Sequence, residues 1–157
     1  MTQVTDGDMA PDFTLPTNGD GTFALSAQPG PVVVYFYPKD DTSGCTKEAL
    51  QFTEFGSEFD ELGVAIIGIS PDTVDSHARF AKKHKLKFDL LADEDRKVMT
   101  AYGAYGPKVM YGKPTVGVIR STVWIGPDGV VRKHWKKVSK AADHPAIVMG
   151  QLKTAEA

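Results

Sequence analysis

Residues 31–37 read Pro-Val-Val-Val-Tyr-Phe-Tyr, one of the longest apolar stretches of the chain. A strand with one wet face alternates apolar and polar side chains, so an unbroken β-branched and aromatic run predicts a central strand covered on both faces. Just downstream the period changes. Ala49, Leu50, Phe52, Phe55, Phe59 and Leu62 recur at helical spacing, which predicts one amphipathic helix over residues 46–62. Residues 64–69 read as a second buried strand, and Asp72 or Thr73 is placed to cap a helix running to about His84. A short strand over residues 88–91 follows, and Asp93-Glu94-Asp95 puts acidic side chains where a helix through Tyr102 would begin.

Either side of this block the pattern is that of hairpins. Residues 13–15 and 22–25 flank the turn signal Asn18-Gly19-Asp20-Gly21, and residues 117–125 and 130–135 flank Gly126-Pro127-Asp128-Gly129. A closing helix is predicted over residues 145–153. Alternating β and α units followed by a hairpin and a last helix predict an α/β fold, a mixed central sheet with helices on both faces. No repeat, linker or low-complexity stretch interrupts the 157 residues, which read as one domain, 1–157.

Composition narrows the function classes. A net charge of −2 gives no basic excess for nucleic acid or an anionic membrane. The start, Met1 to Asp8, is polar and acidic and lacks the cationic and apolar regions of a signal peptide, and no apolar run approaches a membrane span. A single cysteine excludes an internal disulfide framework and suits a reducing compartment, so cytoplasm is expected. No phosphate loop, dinucleotide fingerprint or zinc signature occurs, and neither a cofactor nor a metal is expected.

That one cysteine, Cys45, follows Pro38-Lys39-Asp40-Asp41-Thr42-Ser43-Gly44, where the central strand gives way to the helix. A thiol in a first helical turn faces unpaired backbone N–H groups and the positive end of the macrodipole, which favours its thiolate. Out of context a solitary intracellular cysteine is more often a small buried hydrophobe, Pro38 a strand terminator and Thr42 a helix cap. It is their joint spacing to Cys45 that points to chemistry. Thr42-x-x-Cys45 has the spacing of a capping box, with sulfur in the place of the usual carboxylate. His77, His84, His134 and His144 are scattered among polar residues without ligand spacing, which predicts surface positions and no role. The basic segment Arg132-Lys133-His134-Trp135-Lys136-Lys137 with Lys140 could attract an anionic thiol or an acidic partner, although a solvated hairpin arm is the plainer reading.

The string over residues 36–49, with P-x-x-x-T-x-x-C at Pro38, Thr42 and Cys45, resembles the active-site loop of the peroxiredoxins, in particular the bacterioferritin comigratory protein (PrxQ) branch. Gly7-Asp8-Met9-Ala10-Pro11-Asp12-Phe13 is similar to that family's opening G-x-x-A-P-x-F. Met110-Tyr111-Gly112-Lys113 with Val118-Ile119-Arg120-Ser121-Thr122 resembles its late arginine-bearing strand. The resemblance implies a thioredoxin-like fold with an N-terminal β-hairpin, thiol-dependent reduction of hydrogen peroxide and organic hydroperoxides, and Arg120 as a fourth site residue. In such a site Cys45 would attack a peroxide oxygen, while the Gly44 and Cys45 N–H groups and the Thr42 hydroxyl orient the substrate. Arg120 would stabilise the thiolate and the leaving oxygen, Pro38 would shield the sulfur, and Glu48, one turn along, could hold Arg120.

One departure from the family pattern matters. Many members of the branch carry a resolving cysteine five residues after the reactive one, and here that position is Leu50. A sulfenic acid on Cys45 then has no second thiol in the chain to condense with. The expected cycle is a one-cysteine mechanism completed by an external thiol, whether glutathione, thioredoxin or glutaredoxin, in a monomer or weak homodimer. A peroxide-responsive sensor or partner-binding protein on the same fold, with little turnover, is the alternative. A cysteine hydrolase would need a histidine within reach of Cys45, and a thioredoxin-type reductase would need C-x-x-C, which is absent.

Overall fold

The computed structural model describes residues 4–19 and 21–156. Its centre is β3 (Val32–Phe36), in which every residue is buried. β3 is the middle strand of a five-stranded sheet, parallel to β4 (Ala65–Ser70) and antiparallel to β8 (Ser121–Ile125). β5 (Asp89–Ala92) continues the parallel half and β9 (Val131–Trp135) the antiparallel half. The two faces of β3 explain its unbroken apolar run. Val32, Val34 and Phe36 join Ile67, Ile69, Leu91, Met99 and the N-terminal aromatics Phe13 and Phe23. Val33 and Tyr35 join Phe52, Phe59, Phe80 and Val148 on the opposite face. Each such side chain fully buried contributes about 1.5–3 kcal/mol, so the strand is fixed from both sides.

The second face carries α1 (Ser43–Glu54), α2 (Gly56–Glu61), α3 (Val74–His84) and α5 (His144–Glu156). The first is covered by α4 (Lys97–Ala101) and by the hairpin of β1 (Thr14–Pro16) and β2 (Thr22–Ala24). The mixed sheet with helices on both faces and the N-terminal hairpin therefore stand as expected; Asp20, part of the predicted turn signal, lies outside the described residues. Thr73, rather than Asp72, caps α3, its hydroxyl accepting from the Ser76 N–H at 3.1 Å.

Three expectations need correction. The helix predicted over residues 46–62 is two helices, α1 and α2, parted at Phe55 just before Gly56. Phe52 and Phe59 both remain in the core across the break, so the apolar period gives no sign of it. The strand predicted over residues 117–125 is likewise two. β7 (Lys113–Val118) ends before Ile119 and Arg120, whose backbones bond outward, Ile119 N–H to the Ala104 carbonyl at 2.7 Å and Val138 N–H to the Arg120 carbonyl at 2.8 Å. β7 pairs with β6 (Tyr105–Met110), a strand that its Gly106, Pro107 and Lys108 conceal from pattern reading. Tyr111 and Gly112 both have positive φ, 54° and 76°, the requirement of a two-residue type I′ turn. Finally, no helix begins at Asp93-Glu94-Asp95. Asp93 instead accepts from the Met99 N–H at 2.8 Å, holding the entry to a short α4 that starts at Lys97.

Candidate active site

The sheet register closes the long gap between the central strand and Arg120. Phe36, the last residue of β3, pairs with Ile69 on one side and Ser121 on the other. The loop over residues 38–42 thus leaves the sheet beside Arg120, which directly precedes Ser121. α1 then turns back over the sheet and places Cys45 in the core cluster with Tyr35, Tyr37 and Ala49, only 1% exposed.

One guanidinium ties the segment before β8 to two side chains of α1. Arg120 donates through Nη2 to Cys45 Sγ at 3.0 Å and through Nη1 to Glu48 Oε1 at 2.6 Å. Cys45 and Glu48 are three residues apart on α1 and so share a face, which lets one planar fork reach both. Glu48 is fully buried, and its Oε2 has no hydrogen-bond partner among the described residues. Burial pushes its carboxyl up to about 7, with the Arg120 charge opposing the shift. Burial also works against the charge on Arg120, but the neighbouring Glu48 and Cys45 outweigh it and the guanidinium is held more firmly cationic than usual. The sulfur therefore sits against a fixed positive charge and the open end of a helix.

Thr42 occupies the N-cap position of α1, its carbonyl accepting the Thr46 N–H at 2.8 Å. The capping-box reading of its side chain is overturned. The hydroxyl caps no N–H of the helix; it donates backward to the Lys39 carbonyl at 2.9 Å. Gly44 lies beside the guanidinium, since a Cβ there would stand 3.6 Å from Arg120 Nη2 and 3.8 Å from Ala141 Cβ. Pro38 is exposed at the root of the loop. Leu50 is exposed as well, at 40%, while Cys45 on the same helix is buried.

The expectation of surface histidines fails for three of the four. His77, His134 and His144 are buried, because each finds polar partners inside the fold. His144 Nε2 meets Thr122 Oγ1 at 2.8 Å, and burial, aided by the Arg120 charge, pushes its pKa down to about 4. It is a neutral neighbour of the site, bonded elsewhere, and not a base for the sulfur. His134 Nδ1 bonds the Val4 carbonyl.

His77 belongs to a network that the sequence reading missed. Asp40 accepts from the Tyr37 hydroxyl at 2.6 Å, the Ser76 hydroxyl at 2.8 Å and His77 Nδ1 at 2.7 Å, while His77 Nε2 faces the Leu91 carbonyl at 3.0 Å. Both ring nitrogens are thus engaged inside the fold, one with a carboxylate and one with a backbone carbonyl. Asp72 Oδ2 accepts the Asp40 N–H at 2.7 Å and the Ser70 hydroxyl at 2.8 Å. Asp40, Asp72 and His77 have the ligand types and closeness of a metal site, with ligand atoms within 4.8 Å of one another, but those atoms already serve these bonds. Outside the network Asp41, with φ 60°, turns its carboxylate to Lys83 and His84 in the last turn of α3. The adjacent aspartates in a loop and the Ser76-His77 pair in a helix's first turn were the only traces of this in the sequence.

Residues 7–134 match the AhpC/TSA family. The chain belongs to that family. Among curated relatives, a peroxiredoxin Bcp of Bacillus subtilis is 42% identical over 148 residues, 94% of either chain. A putative peroxiredoxin bcp of Coxiella burnetii is 44% identical over 147 residues, 93% of this chain and 97% of the relative. Among solved structures the bacterioferritin comigratory protein of Xanthomonas campestris, a protein with alkyl peroxide reduction activity, superposes with a TM-score of 0.89 at 36% identity, covering 99% and 100% of the two chains. As a peroxiredoxin of the bacterioferritin comigratory (PrxQ) branch, the chain has the thioredoxin-like fold and is a thiol-dependent peroxidase. Its single cysteine accords with a one-cysteine mechanism, and no helix among the described residues is long and apolar enough to cross a membrane.

Proposed function

We propose that Cys45 is the peroxide-attacking residue and that alkyl hydroperoxides and hydrogen peroxide are its substrates. The observation that carries this reading is the Arg120 fork, which holds sulfur and Glu48 at once. The thiolate attacks one oxygen of ROOH; an S–O bond forms, the O–O bond breaks, and the alkoxide leaves to be protonated as ROH. Arg120 steadies both the thiolate and the departing oxygen. The Gly44 and Cys45 N–H groups and the Thr42 hydroxyl orient the peroxide, and Pro38 limits water at the sulfur. Glu48 acts on Arg120 rather than on substrate.

The sulfenic acid is then reduced from outside. One external thiol displaces water to give a mixed disulfide, and a second releases Cys45. Loop 136–143 borders the site, with Val138 bonded to Arg120 and Ala141 beside Gly44, so Lys137 and Lys140 stand near the approach of a reductant. Glutathione, thioredoxin and glutaredoxin are the reductants to compare. The chain works as one domain over residues 1–157, as a monomer or weak homodimer, in a reducing compartment such as the cytoplasm.

Steady-state peroxide consumption by the wild type and Cys45→Ser, with each reductant in turn, tests the reading. The wild type should consume many equivalents per chain and the variant none. Undiminished turnover in Cys45→Ser would refute the assignment of the sulfur, and a single equivalent consumed by the wild type with every thiol would favour the sensor instead.

A further inference from the structure

The peptide unit between Lys39 and Asp40 is held at both ends. Its N–H, on Asp40, donates to Asp72 Oδ2 at 2.7 Å, and its carbonyl, on Lys39, accepts the Thr42 hydroxyl at 2.9 Å. In a trans peptide these two groups point in opposite directions within one plane, so fixing one fixes the other. Asp72 is itself braced. The same oxygen accepts the Ser70 hydroxyl at 2.8 Å, and the Asp72 N–H donates back to Ser70 Oγ at 3.1 Å. Asp40 is pinned from within by Tyr37, Ser76 and His77.

We propose that Asp72 is a positioning residue for the peroxide step, acting through the plane of the 39–40 peptide on the hydroxyl of Thr42. A hydroxyl has one proton and two lone pairs. With the proton committed to Lys39, Thr42 presents lone pairs to the pocket, and these complement the O–H of a hydroperoxide. Without Asp72 the peptide plane is free to turn, the Lys39 carbonyl leaves the hydroxyl, and Thr42 can offer its proton to the substrate instead.

The inference rests on the reading of Cys45 and Thr42 as the peroxide site, and the test separates the two. The second-order rate constant for oxidation by a hydroperoxide is measured beside that for alkylation by iodoacetamide, which needs the thiolate but no peroxide-holding hydroxyl. Asp72→Ala should slow oxidation about tenfold, the scale of one misdirected hydrogen bond, and leave alkylation within about twofold. Asp72→Asn keeps an acceptor oxygen and should recover most of the loss. In a Thr42→Val background Asp72→Ala should add nothing, because the group it positions is gone. The proposal is overturned if Asp72→Ala oxidises at the wild-type rate, if oxidation and alkylation fall together, or if its effect multiplies with that of Thr42→Val. Should Thr42→Val itself leave oxidation unchanged, the site reading falls and this inference with it.

Discussion

Asp40 and Glu48 are both buried carboxylates within ten residues of each other, one either side of Cys45 in the chain, and their surroundings drive them in opposite directions. Burial raises both. Around Asp40 it is outweighed by bonds from His77, Tyr37 and Ser76, and the carboxyl falls below its ordinary value. Around Glu48 burial meets one partner, Arg120, and wins, leaving the group near 7. The number of donors decides the sign, since a buried charge is cheap only when its lone pairs are filled. The α3 side of the loop is thus a closed network that confers order. On the α1 side Arg120 is shared between a carboxylate and a sulfur, and that sharing leaves positive charge available to the chemistry.

The deepest break in this contrast should come from Arg120→Met, which leaves Cys45 without its cation. The rate constant for peroxide oxidation should fall about 10²–10³-fold, as for loss of a group stabilising developing charge. A stopped-flow constant within threefold of the wild type would mean that the guanidinium is only structural. On the closed side the expected loss is in stability. His77→Leu removes a partner of the buried Asp40 carboxylate, and urea unfolding should show about 3 kcal/mol less stability; a change below about 1 kcal/mol would mean that the His77 bond does little for the fold.

The pH dependence of stability sharpens the contrast further. A carboxyl raised in the fold contributes stability that is full below its unfolded value of 4.5 and is lost as pH rises through about 7. The wild type should therefore lose stability across that window, and Glu48→Gln should not. For Asp40 the sign reverses, its contribution being present above the unfolded value and lost as pH falls through the lower folded one. Parallel unfolding curves for wild type and Glu48→Gln at pH 5 and pH 8 would remove the distinction. The smallest effect belongs to Lys83→Ala. Its pair with Asp41 is exposed and screened by solvent, so the urea unfolding midpoint should not move measurably, and a clear shift would show that the pair braces the loop.

The proposed peroxide site was readable in the sequence because its residues are local. Pro38, Thr42, Gly44 and Cys45 lie in one loop and one helical turn, and Glu48 follows on the same face. Arg120 was reachable only through the family resemblance, since its approach to sulfur depends on the register of β3 against β8. The central strands were legible from their apolar runs, whereas β6 and β7 were not, because a two-stranded ribbon outside the main sheet leaves Val109, Tyr111 and Val116 exposed and buries only its base, at Gly106 and Val118. The Asp40–His77–Asp72 network stayed hidden for a related reason. Polar side chains 32 to 37 positions apart satisfy one another inside, and the traces in either segment, adjacent aspartates and a Ser76-His77 pair, are as common among surface residues.

The exposed Leu50 has a kinetic consequence. Five residues along an α-helix correspond to about 140° of rotation and about 7.5 Å of rise, so position 50 faces away from the sulfur at position 45. A disulfide between those positions would require α1 to unwind. This chain has no thiol at position 50, so the proposed cycle contains no such internal rearrangement, and in it recovery of Cys45 is bimolecular. The observed rate of sulfenic acid reduction should rise in proportion to external thiol without reaching a plateau, and the helix that carries the sulfur can stay wound throughout.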